Sequence, residues 1–192
     1  GVIFAIDPTT FKELGRITIA SPRYIHFLSD EKAYVTMLYD NRIAIVNPKT
    51  YSVTGYITTP FEESAATEQI VQLGDYIYVN CWSYRREILK IDTRTDQIVS
   101  TLDVGIQPAS ILLDSANRLW VLTDGGGWDG NPIGYEEPAI LRIDPQSMEI
   151  ELTLKMALGD SPSKLQCDST GENLYWLNGG VWKMPTTADA LP

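Results

Sequence analysis

Two stretches of this sequence concentrate side chains suited to directed contact with a ligand. Trp82 to Glu87 reads WSYRRE and Asp124 to Pro138 reads DGGGWDGNPIGYEEP. Together they supply four rings (Trp82, Tyr84, Trp128, Tyr135), two guanidinium groups (Arg85, Arg86) and three short polar side chains (Asp124, Asp129, Asn131). Rings beside arginines offer large, rigid contact area with polar tips, a chemistry that grips a flat or bulky ligand. Thr58 to Gln69 (TTPFEESAATEQ) adds Phe61, and the shorter segment Tyr39-Asp40-Asn41 adds Tyr39. These eleven residues are the candidate ligand-binding set. A structural role competes for several of them: Trp82 and Tyr84 also suit packing between neighbouring sheets, and Trp128 suits anchoring a glycine-rich loop.

Reaction chemistry is harder to assemble. His26, within Arg23 to Leu28 (RYIHFL), is the single histidine, so it has no second His for a zinc site and no nucleophile elbow beside it. It reads as a structural residue of an inner strand. The loop from Asp124 to Asn131 invites a calcium reading because hard cations take carboxylate and carbonyl oxygens, but its spacing is not that of an EF-hand and glycine alone accounts for tight turning. Nor does it carry the Gly-Lys-Ser/Thr ending of a phosphate-binding loop. The pairs Glu62-Glu63 and Glu136-Glu137 suit a solvated rim better than an acid/base couple. Cys81 and Cys167 are too few for a disulfide scaffold and read as buried thiols. No catalytic residue, metal or cofactor is expected.

Charge narrows the partners. With 15 Lys and Arg against 25 Asp and Glu, the formal net charge is -10. Nucleic-acid binding depends on basic groups that release counterions from phosphates, so DNA and RNA are excluded as ligands. No run reaches the roughly 20 apolar residues of a spanning helix, and nothing near Gly1 resembles a signal core.

The elements that position the loops come from an internal repeat. Ile3 to Phe11 (IFAIDPTTF), Ile43 to Tyr51 (IAIVNPKTY), Ile88 to Asp96 (ILKIDTRTD) and Ile140 to Met148 (ILRIDPQSM) share one pattern, and VWKMPTTAD from Val181 is a degenerate fifth copy. Anchors at Asp7, Asn47, Asp92, Asp144 and Met184 are spaced by 40, 45, 52 and 40 residues. Each copy is an alternating strand, an Asx turn that its own side chain can close, and a second strand. Two more strands precede it. A tandem unit of about 40 residues with four antiparallel strands predicts a β-propeller blade. The chain is therefore expected to be all-β, with about four blades. Residues 1–20 are the outer strands of one blade, 21–60, 61–106 and 107–158 are blades, and 159–192 is incomplete. A closed four-bladed wheel and a portion of a larger wheel both fit the count of 17 strands, and the unpaired ends favour the second.

In such a blade the second-to-third loops and the loops between blades share one face. The third-to-fourth turns are constant in length and the first-to-second turns stay short, so all surplus length maps to that face. Long loops on a rigid scaffold are where binding residues concentrate.

The Ile-Asp-Pro-x-Thr turn in short blades resembles the YVTN/YncE-like seven-bladed propellers. SPRYIHF (Ser21 to Phe27), DEKAYVT (Asp30 to Thr36), NCWSY (Asn80 to Tyr84), LWVLTDGG (Leu119 to Gly126), GDSPSKL and LYWLNGGVW (within Gly159 to Trp182) are similar to the Bacteroides surface-layer propellers with a DUF5074-type repeat. That group includes BtuG-like cobalamin-binding surface lipoproteins. The resemblance implies a non-enzymatic, lipid-anchored outer-membrane protein at the cell surface, its anchor outside this chain. Such a protein captures vitamin B12 or another corrinoid and passes it to a TonB-dependent transporter. Two other readings remain open: a structural or protein-interaction propeller, and a propeller lyase or hydrolase.

Overall fold

The computed structural model describes residues 1–192 as 17 β-strands without a helix, so no helix is long and apolar enough to cross a membrane. β1 (Val2–Ile6) and β2 (Glu13–Thr18) form a two-stranded sheet. Three four-stranded sheets follow: β3 (Pro22–Ser29), β4 (Lys32–Met37), β5 (Arg42–Asn47) and β6 (Ser52–Thr58); β7 (Thr67–Leu73), β8 (Tyr76–Cys81), β9 (Glu87–Asp92) and β10 (Gln97–Asp103); β11 (Pro108–Leu113), β12 (Leu119–Thr123), β13 (Ala139–Asp144) and β14 (Glu149–Lys155). β15 (Ser163–Cys167), β16 (Asn173–Leu177) and β17 (Val181–Pro185) make a three-stranded sheet. Within every sheet, strands neighbour one another in chain order. The chain divides into two compact units, Gly1–Ile70 and Val71–Pro192.

The repeated turn works as its chemistry predicts. Asp7 Oδ1 accepts from the backbone N–H groups of Thr9 and Thr10, both at 2.8 Å. Asn47 Oδ1 accepts from Lys49 and Thr50 at 2.9 and 3.1 Å, and Asp144 Oδ1 from Gln146 and Ser147 at 2.7 and 3.1 Å. Four residues after each anchor, Phe11, Tyr51, Asp96 and Met148 adopt left-handed φ values of 56°, 56°, 57° and 59°. A non-glycine residue there costs free energy, which the anchored turn offsets. The extra residue shifts the register just inside each hairpin, at Ala5/Ile6, Ile45/Val46, Ile98/Ser100 and Arg142/Ile143, giving each outer strand the bulge and twist that blades need.

These turns also carry acid sensitivity. Hydrogen bonds from the Arg94 side chain and backbone hold Asp92 down to about 2, against 3.8 for a free Asp. A carboxylate with a depressed folded-state pKa stabilises fully above its unfolded pKa and loses that contribution as pH falls through the folded value. The expected result is a melting temperature that drops between about pH 4 and pH 2, with a shallower drop in Asp92→Asn; calorimetric Tm against pH measures both.

The cores lie between successive sheets. In Gly1–Ile70, Ile17, Ile19, Val35, Met37 and Val46 belong to one cluster. In Val71–Pro192, Tyr78, Ile88, Val104, Ile111 and Leu141 link the β7–β10 sheet to the next, and Trp120, Leu122, Ile140, Leu165 and Trp176 link that one to β15–β17. The middle strands of the four-stranded sheets are largely buried on both faces, as β12 is throughout, which explains their near-continuous apolar sequence. The second and third strands of the last three sheets repeat an aromatic–cation pair: Tyr78 opposite Lys90, Trp120 opposite Arg142 and Tyr175 opposite Lys183. The cation lies 5.8, 5.7 and 5.4 Å from the ring centroid. Cys81 is fully buried and Cys167 only half-buried, so the expectation of two buried thiols needs correcting for the second; both are free. Cys167 sits in the terminal three-stranded sheet, where its Sγ reaches Leu113 O at 3.8 Å.

Candidate ligand-binding face

In Val71–Pro192 the two signature loops meet. The first leaves β8 at Trp82 and turns back where Arg85 N–H donates to Trp82 O at 3.1 Å, with Tyr84 at a left-handed φ of 58°. Glu87, at the start of β9, holds this turn: its carboxylate takes two hydrogen bonds from the Arg85 guanidinium at 3.1 and 3.0 Å and one from Arg86 N–H at 3.0 Å. The Arg86 guanidinium reaches Asp103 at 2.9 Å and Glu136 at 3.4 Å. Both arginines are thus committed to carboxylates of the scaffold.

The second loop closes on the first through Asp124. Trp82 Nε1 donates to Asp124 Oδ2 at 2.9 Å, and Gly126 N–H donates to Asp124 Oδ1 at 2.9 Å. Burial pushes the Asp124 carboxyl above its ordinary value, and those two hydrogen bonds pull against it. Asn131 is the second staple. It is buried, and its Nδ2 donates to Gln107 Oε1 at 3.0 Å and Gly126 O at 2.9 Å while Oδ1 accepts from Ile133 N–H at 3.1 Å. Glu136 accepts from Ile106 N–H. Gln107 itself has a φ of 55° immediately before Pro108, a strained entry into β11 that the Asn131 contact helps fix.

The eleven candidates therefore separate by role. Trp82, Arg85, Asp124 and Asn131 spend their polar groups on partners within the protein and position the loops, and Arg86 is held by Asp103 and Glu136 at the surface. Tyr84 and Trp128 are 50% and 51% exposed, Asp129 is exposed, and Tyr135 is half-buried. The acceptors that a cation would want at Asp124 are occupied by N–H donors. In Gly1–Ile70, Tyr39 is 76% exposed, and the carbonyl of Phe61 accepts from Asn41 Nδ2 at 3.3 Å. The neighbouring Asp40 is paired twice with Arg42, at 2.8 Å each, whose guanidinium covers the Tyr56 ring at 4.2 Å. His26 lies half-buried on β3, opposite Tyr34.

Two concavities of Val71–Pro192 escaped the sequence reading. Between the short turns lies a cleft of about 770 Å3 lined by Asp75, Tyr76, Lys90, Arg118, Asp144 and Gln146. Its floor is a clamp: Tyr78 OH and Lys90 Nζ both donate to Pro145 O at 2.8 Å, and Lys90 also to Gln146 O at 2.9 Å. The lysine in ILKID was a signal, because it breaks an otherwise apolar middle strand. The other is a recess of about 330 Å3 beside Trp182.

No family model matches this sequence, and no curated protein does. Solved structures do match. Hydrazine synthase of Kuenenia stuttgartiensis aligns with a TM-score of 0.71 at 18% identity over 97% of this chain. The dihydro-heme d1 dehydrogenase NirN, in complex with DHE, aligns with a TM-score of 0.62 at 13% identity over 80% of it. This chain spans 51% of the first and 33% of the second. At such identities the likeness speaks to architecture alone. With sheets of four antiparallel strands in tandem, it makes the chain a β-propeller of about four blades.

Proposed function

We propose that the long-loop face captures a corrinoid, vitamin B12 or a relative, and holds it chemically unchanged for delivery to a TonB-dependent transporter at the outer-membrane surface. The observation that carries the reading is the division of labour in the two loops. Trp82, Asp124 and Asn131 are internally satisfied, while the rings of Tyr84 and Trp128 are half-exposed on the same two loops, with Asp129 and Tyr135 nearby in sequence. Loops carried on a rigid scaffold are where binding residues concentrate. A corrin presents a broad flat centre and a periphery of amides, matching rings for its faces and short polar groups for its edge. The resemblance to cobalamin-binding surface propellers supports the same ligand.

Titrating the protein with cyanocobalamin in a calorimeter tests the reading. Saturable heat, and cyanocobalamin recovered with its absorption spectrum intact, is the expected outcome. Absence of heat at micromolar protein and excess ligand would remove corrinoids, and a changed spectrum would point to an enzyme.

A further inference from the structure

We propose that the tip of the β16–β17 hairpin, a second-to-third loop on the same face as the long loops, binds the ring of a neutral saccharide on Trp182. Trp176 and Trp182 are cross-strand partners, their centroids 6.3 Å apart and their planes 15° from parallel. Trp176 is buried, whereas Trp182 is 41% exposed. The Trp182 indole N–H donates to Asn178 O at 2.7 Å. Stacked on one ring and tethered through its nitrogen, the indole is oriented before any ligand arrives, which lowers the entropy cost of binding.

The recess beside it, about 330 Å3, is lined by Met156, Asp160, Trp176, Asn178, Trp182 and Leu191. That is the lower end of small-ligand pockets and suits one sugar ring. The negative π face of indole attracts the weakly positive C–H groups on the face of a pyranose. Its hydroxyls need a donor and an acceptor close by. Asp160 uses Oδ2 for Ala157 N–H at 2.9 Å, leaving Oδ1 as an acceptor. Asn178 uses Oδ1 for Ser161 N–H at 3.4 Å, leaving both Nδ2 hydrogens as donors. Lys155, at the rim, is paired with Glu137 at 3.0 Å, so the recess has no unpaired cation to recruit an anion.

Saturation-transfer difference NMR tests this with the methyl glycosides of glucose, galactose, mannose and N-acetylglucosamine at millimolar concentration. At least one is expected to receive saturation on its ring C–H protons, to lose it in Trp182→Ala, and to bind about tenfold more weakly in Asp160→Ala. Trp182→Phe retains a ring without the N–H; it keeps part of the signal and serves if the alanine variant does not fold. Tyr84→Ala with Trp128→Ala leaves the saccharide signal unchanged, which separates this site from the corrinoid reading. No transfer to any of the four glycosides, or transfer that survives Trp182→Ala, overturns the proposal.

Discussion

Replacing Gly125 by alanine is expected to open the long loop while leaving the blades folded. Gly125 has a φ of 72°, and a Cβ on it would sit 2.2 Å from Glu136 O and 3.1 Å from Pro138 N. Both are backbone atoms, so no rotamer change relieves the clash. The left-handed backbone adds roughly 1 kcal/mol for any residue with a Cβ, and pushing the Glu136 segment away breaks the Glu136 N–H to Gly125 O bond at 3.0 Å and the contact with Ile106. A local cost of about 2–4 kcal/mol follows. Gly127 is the internal control. It has the same φ of 72° in the same loop but nothing within 4 Å of a Cβ, so Gly127→Ala carries only the backbone cost. Amide hydrogen exchange across residues 124–138 distinguishes them: fast exchange in Gly125→Ala, near-normal protection in Gly127→Ala, and unchanged protection of β12 and β13 in both.

The second large effect concerns binding rather than stability. Tyr84→Ala with Trp128→Ala removes two rings that are half-exposed and make no hydrogen bond through their side chains. Truncating exposed side chains outside caps, networks and strained turns shifts folding stability by about 0.5 kcal/mol or less; Tyr84 adds a modest term because its φ is 58°. Anchoring aromatics in a binding face, by contrast, each carry about 2 kcal/mol or more. The double variant should melt within a degree or two of the parent and bind cyanocobalamin at least about 100-fold more weakly. Equal affinity in the two proteins would take these rings out of the site.

What the sequence made legible followed from local chemistry. An Asx side chain that bonds to backbone two residues on, and at three of the four turns three residues on as well, needs no tertiary partner, so the turns at Asp7, Asn47, Asp92 and Asp144, and with them the strand count, could be read directly. The division of labour among the loop residues could not. Trp82 and Trp128 both stand in polar or glycine-rich stretches, and only the arrival of Asp124 beside Trp82 makes one a staple and leaves the other exposed. Asn131 became a buried hub because Gln107, 24 positions away, enters β11 at an unusual φ. Arg85 and Arg86 looked like ligand groups because adjacency in sequence hides that Glu87, Asp103 and Glu136 converge on them. Trp182 was overlooked for a related reason: in an alternating strand it reads as ordinary sheet packing, and its exposure depends on how the Asn178-Gly179-Gly180 tip folds beneath it.

The long-loop face is the proposed seat of the ligand on this propeller. Hydrogen–deuterium exchange with and without saturating cyanocobalamin tests it most directly. Added protection is expected in residues 82–86 and 124–138, and none at the short turns 74–75, 93–96 and 145–148. Protection confined to the short-turn cleft around Lys90 and Pro145, or no change anywhere along the chain, would contradict it.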